Sequence, residues 1–131
     1  MTYELGAGIK LPGLKAGADL SAAQYHFVEL GAGGTVTVCN ALTDVPIGVL
    51  QNAPKSGQAA EVLALGVSKV VGDADLAIND LIGCSADGQA DARTIGTDTT
   101  HYVVGRVIKE NGAAGGLITA AINCLNPHRA A

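Results

Sequence analysis

The side chains able to do chemistry in this 131-residue chain are few and scattered. Its three histidines, His26, His101 and His128, are distant from one another and form none of the paired-ligand motifs that mark zinc sites. They read as strand-surface and tail residues. The three cysteines, Cys39, Cys84 and Cys124, contain no C-x-x-C spacing. One disulfide among them is possible, but a reducing compartment favours three free thiols buried as small hydrophobes. No nucleophile elbow singles out a serine or cysteine. Asp73, Asp75 and Asn79 could hold Ca²⁺ weakly, yet their spacing does not fit an EF-hand loop, and Asp in such stretches is favoured by its own turn hydrogen bonds. The Gly-rich segments 31–34 and 112–116 do not join a strand to a helix, so their amides lack the helix N-terminus that phosphate binding uses. The residues therefore assign no catalytic, metal or cofactor site.

With no reactive cluster to position, the elements themselves must carry the function. The chain is 48% hydrophobic but only 3% aromatic, so its core is built from Val, Leu, Ile and Ala. Its length suits one domain. Charged residues make up 15%, against about 25% in typical domains. A surface so poor in charge suits one partly covered by partners. The net charge is −4, and the eight Lys and Arg are dispersed, which argues against nucleic acid as a partner. No apolar run reaches the ~18–20 residues of a membrane-spanning helix, so no membrane partner is expected. Residues 1–11 lack the charged-then-apolar order of a signal peptide, so synthesis in a cytoplasm is expected.

Periodicity predicts an all-β fold: a small barrel or sandwich of about eight short strands. Strands are expected over residues 25–30, 35–39, 47–51, 61–71, 81–84, 102–109 and 117–124. Asp87-Gly88 is a hairpin turn whose second strand follows it. Gly66 is expected to bend or bulge the longest strand. In 117–124, Ile118, Ala120, Ile122 and Cys124 fall on one face. Residues 18–24 are expected to make one helical turn capped by Asp19 or Ser21. Residues 1–18 stand apart as a flexible N-terminal arm, broken by Gly6, Gly8, Pro12, Gly13 and Gly17 yet dotted with apolar side chains. The β-rich domain then covers 19–125 and a polar tail 126–131. An arm of this kind can add its backbone to a partner's sheet edge, which makes Tyr3, Leu5, Ile9, Lys10 and Leu11 the candidate partner contacts.

Two resemblances bear on function. Lys10-Leu11-Pro12 with Gly17-Ala18-Asp19-Leu20-Ser21-Ala22 is similar to the first motif of the trimeric deoxyuridine triphosphatases. That family implies an Arg-bearing phosphate loop, and here Arg93-Thr94 is not followed by Ser, so the cations a triphosphate needs are missing. The second runs from residue 17 to 123. Tyr25-His26-Phe27-Val28, Ile47-Gly48-Val49-Leu50-Gln51-Asn52, Glu61-Val62, Leu65-Gly66-Val67-Ser68-Lys69-Val70, Asp87-Gly88 and Val104-Gly105-Arg106-Val107 together resemble the small capsid decoration, or cement, proteins of tailed bacteriophages. That resemblance implies a β-rich, non-enzymatic protein on the outer surface of the virion's expanded capsid. Its partners would be the major capsid protein, whose neighbouring subunits it clamps, and other copies of itself in a trimer. A tail or head-fibre-base component is the alternative, with a nucleotide hydrolase or a sugar-binding module further off.

Overall fold

A computed structural model describes residues 8–131, so the arm candidates Tyr3 and Leu5 lie outside the described residues. The described residues form twelve strands: β1 (Ile9–Leu11), β2 (Lys15–Ala16), β3 (Phe27–Leu30), β4 (Thr35–Val38), β5 (Gly48–Leu50), β6 (Val62–Val71), β7 (Leu81–Cys84), β8 (Ala90–Arg93), β9 (Tyr102–Val103), β10 (Gly105–Lys109), β11 (Leu117–Asn123) and β12 (His128–Arg129). The expected all-β class holds, and the architecture is sandwich-like rather than a closed barrel. Residues 18–24 make hydrogen-bonded turns instead of a helical turn. Asp19 accepts the Ser21 N–H at 3.1 Å, and the Ala23 N–H reaches the Leu20 carbonyl at 3.0 Å.

One large sheet runs β2-β4-β3-β5-β6-β11-β10-β7-β8, with β1 joined to β6, and β9 and β12 pair separately. The sheet is antiparallel apart from the short β2–β4 pair. β6 is its spine. Its first half pairs with β5 through Val49–Leu63 and Leu50–Val62, and its second half with β11 from Leu117–Val71 to Asn123–Leu65. β1 pairs with the start of β6 on the edge opposite β5 and β11, since Leu65 meets both Ile9 and Asn123 and Val62 meets both Leu11 and Leu50.

Gly66 lies just past the β1–β6 pairing, with φ +142°, a conformation side chains rarely adopt. A Cβ there would lie 2.9 Å from the Gly8 Cα, so the glycine also lets the incoming chain cross close against β6.

Period-2 alternation divides the core in two. Phe27 and Val49 point into one cluster, which also holds Ile82, Val107, Ile118, Ala120 and Ile122. Their neighbours Val28 and Leu50 point into the other, with Val36, Val62, Leu20 and Ala16. β5 and the first half of β3 are thus buried on both faces, whereas Glu29 and Leu30 at the end of β3 reach toward solvent. The β7–β8 hairpin folds back over the first core. Its Gly88, at φ +75°, accepts a hydrogen bond from the Phe27 N–H at 2.7 Å.

All three cysteines lie in the first core, buried and free. The Cys39 and Cys84 thiols are hydrogen-bonded to each other, which together with burial pushes Cys39 far up from its usual range and draws Cys84 down. Burial pushes Cys124 up to about 12.

Candidate partner-binding face

β1 carries three of the five contacts expected from the sequence. Ile9 is 48% exposed, Lys10 is exposed, and Leu11 is partly buried against the second core. One edge of β1 is bonded to β6, and among the described residues no strand pairs with the other. A free edge offers a row of N–H and C=O groups to an incoming strand.

Two grooves adjoin this edge. The first, of 390 Å³, is lined by Lys10, Leu11, Pro12 and Leu14 on one side and Ala59, Ala60 and Glu61 on the other. The second, of 530 Å³, crosses β6, β11 and β10 between Leu65 and Arg106, with Gly66, Gly105 and Ala121 in its lining. Those small residues leave a trough where larger ones would fill the face. Leu65 belongs to the second groove and pairs with Ile9, so the trough begins on β6 beside the bonded edge of β1. Arg106 and His128 give it a polar rim. Chemically this surface can pair backbone with backbone and accept apolar side chains.

The structure also brings together a polar group that sequence spacing did not reveal. Arg93, at the end of β8, is 5% exposed. Its guanidinium donates to the carbonyls of Cys84 (2.7 Å), Tyr102 (3.2 Å) and Leu42 (3.3 Å), and to the Asp91 carboxylate at 2.6 Å. One side chain thus ties β7, β8, β9 and the loop after β4. Burial raises the Asp91 carboxyl above its usual range even with Arg93 beside it, and Asp73 and Asp98 push the same way. In the sequence, Arg93 had mattered only as a phosphate-loop residue that lacked its partner serines. The one local hint was Asp91, two residues earlier and on the same strand face.

His101 sits 3.7 Å from Asp98. Asp73 and Asp75 are exposed turn residues.

Comparison with known proteins gives one point of reference. No protein-family model matches the chain and no curated protein matches it, so neither comparison returns the decoration-protein family that the strand pattern resembles. Among solved structures, the chain is similar to the N base of the head fiber gp8.5 of bacteriophage phi29. The two align over 88% of this chain and 94% of that one, with a TM-score of 0.65 and 19% identity. At that identity the likeness is one of fold.

Proposed function

We propose that this chain is a structural component of a bacteriophage head, a β module that seats on the shell and serves as the base of a surface attachment. The carrying observation is the shared fold, which spans nearly the full length of both this chain and a head-fiber base. The face around β1 supplies the means. Its free edge can add to a strand of the major capsid protein, and the adjoining trough can take the apolar side chains of that strand. On this reading the protein binds rather than turns over a substrate, and it works on the outside of the virion.

A second reading has its own support. Exposed large apolar residues occur on several sides, among them Leu30, Val45, Ile78, Ile95 and Ile108, on a surface with little charge. A module touching neighbours on several sides suits a cement role, clamping adjacent capsid subunits, with copies of itself grouped as a trimer. Weak single contacts would then gain strength from multivalency.

Co-sedimentation of the purified protein with expanded, undecorated heads of its phage tests both. Saturable binding is expected, weakened by Ile9→Lys without a change in melting temperature. A few tens of copies per particle indicates a fibre base, and hundreds, with greater heat resistance of the shell, indicates cement. Absence of binding to heads overturns the proposal.

A further inference from the structure

Two thiols and two carboxylates converge at the end of the sheet where β3, β4 and β7 meet. Glu29 lies on β3, Cys39 directly follows β4, Asp44 is in the loop beyond it, and Cys84 ends β7. Ligand atoms of Glu29, Cys39 and Asp44 lie within 4.8 Å of one another. The Cys84 sulfur lies behind them in the interior, donating to the carbonyls of Ala41 (3.4 Å) and Asp44 (3.5 Å). Both sulfurs are fully buried, whereas both carboxylates are only partly buried and form the mouth.

We propose that Glu29, Cys39, Asp44 and Cys84 form a binding site for one zinc-class divalent cation. The donor set is two sulfurs and two oxygens. Thiolate ligands select zinc-like metals over the hard cations Ca²⁺ and Mg²⁺, which take oxygen. Zinc bonds of about 2.0 Å to oxygen and 2.3 Å to sulfur put the ligand atoms of one tetrahedral ion roughly 3.3–3.8 Å apart. The Glu29, Cys39 and Asp44 ligand atoms therefore need to close by only about an ångström, and Cys84 supplies the fourth position from behind them.

Its surroundings fit that use. Asp44 is held in place, with one oxygen accepting the N–H groups of Asn40 (2.9 Å) and Ala41 (3.1 Å), an outer arrangement that orients ligating carboxylates. Neither Glu29 nor Asp44 makes an ion pair with a cationic side chain among the described residues. Behind the sulfurs, buried Arg93 donates to the carbonyls of Cys84 and Leu42, which offsets part of the excess negative charge of two thiolates and two carboxylates. The metal would staple the β4–β5 loop to β7. No local spacing announces this site, because 10 residues separate Glu29 from Cys39 and 40 separate Asp44 from Cys84.

The test is titration of the full chain, reduced and metal-free, with Co²⁺ and then Zn²⁺. One equivalent of Co²⁺ should bind, with thiolate-to-cobalt charge-transfer absorption and the strong visible bands of a tetrahedral site. Zn²⁺ should displace it and raise the melting temperature. Cys39→Ser and Cys84→Ser should each abolish the charge-transfer bands or halve them. Glu29→Gln, at a half-buried position where folding is not at stake, should weaken Co²⁺ at least about tenfold, or 1.4 kcal/mol. Ca²⁺ should not compete. Absence of thiolate bands in the reduced wild-type protein overturns the site, as does full Co²⁺ affinity in Glu29→Gln. Formation of a Cys39–Cys84 disulfide in air with no Co²⁺ binding under reductant overturns it equally, and makes the pair simply two adjacent thiols.

Discussion

Replacing Arg93 by Met should cost more stability than any other single charge removal in this protein. The substitution keeps the apolar stem and deletes the fork that bonds to three carbonyls and Asp91. The Cys84 carbonyl is the main loss, since its 2.7 Å bond is buried and a buried group left unsatisfied costs about 1–3 kcal/mol. The longer bonds to Tyr102 and Leu42 add less. Asp91 is 31% exposed and can regain water, so its share is at most about 1 kcal/mol. The total is about 2–4 kcal/mol, which in a domain of this size lowers the melting temperature by roughly 8–15 °C. Arg93→Lys should fall between, because an ammonium keeps the charge but cannot span the same acceptors. Urea and thermal unfolding measure the loss. Amide exchange should also quicken in the loop after β4, where the Leu42 carbonyl is released. A loss below about 1 kcal/mol for Arg93→Met would refute the reasoning and make the buried guanidinium a bystander.

Gly88→Ala and Gly96→Ala form a matched pair: both glycines have φ near +80°, but a Cβ at 88 meets Val38 and the Phe27 carbonyl, while at 96 it meets nothing. Gly96→Ala should cost about 1 kcal/mol and Gly88→Ala about 2–3, read from denaturant midpoints. In the folded protein at pH 8 none of the three thiols should react readily with a disulfide reagent, because all are buried and Cys39 and Cys124 hold their protons tightly; in denaturant all three should react, as counted by mass spectrometry. Hydrogen bonding to Ser21 lowers the Asp19 carboxyl below its ordinary 3.8, so its contribution is present above that value and is lost as pH falls through the lower folded value. Asp19→Ala should therefore lower the melting temperature at pH 7, with the difference shrinking toward pH 2.

The fold was legible wherever one face of a strand is wet. In β11 and the residue after it, Ile118, Ala120, Ile122 and Cys124 are all buried and Leu117, Ala121 and Asn123 are exposed, a period-2 alternation broken by the buried Thr119. The Asp87-Gly88 turn and the special role of Gly66 were visible for local reasons, since only glycine tolerates those backbone angles cheaply. The strand over 61–71 was marked by its long apolar run, of which Val62, Leu63 and Ala64 are buried on both faces. The helical turn over 18–24 was not formed, because Asp19 spends its oxygen on the Ser21 amide and Leu20 is drawn into the second core. Of the face around β1, the residue types were readable but not the free edge, which depends on Ile9, Lys10 and Leu11 docking their other edge on β6. Arg93 and the sulfur–carboxylate cluster were hidden because each gathers residues from separate strands, and spacing along one chain records only neighbours on one element.

The position of β11 has a consequence for how the protein is made. Among the described strands it leaves the ribosome after every other long one, yet it lies between β6 and β10 in the middle of the sheet. Until residues 117–123 emerge, the edge of β6 from Leu65 to Val71 has no partner within its own chain. Nascent chains on one messenger then present the same unpaired edge to one another, the condition under which strands are exchanged between copies or aggregate. Sheet completion is thus a late, long-range event, slow in the way that non-local pairings are slow. A chain cut short before Leu117 would lose the strand that closes the centre and be prone to assemble with itself.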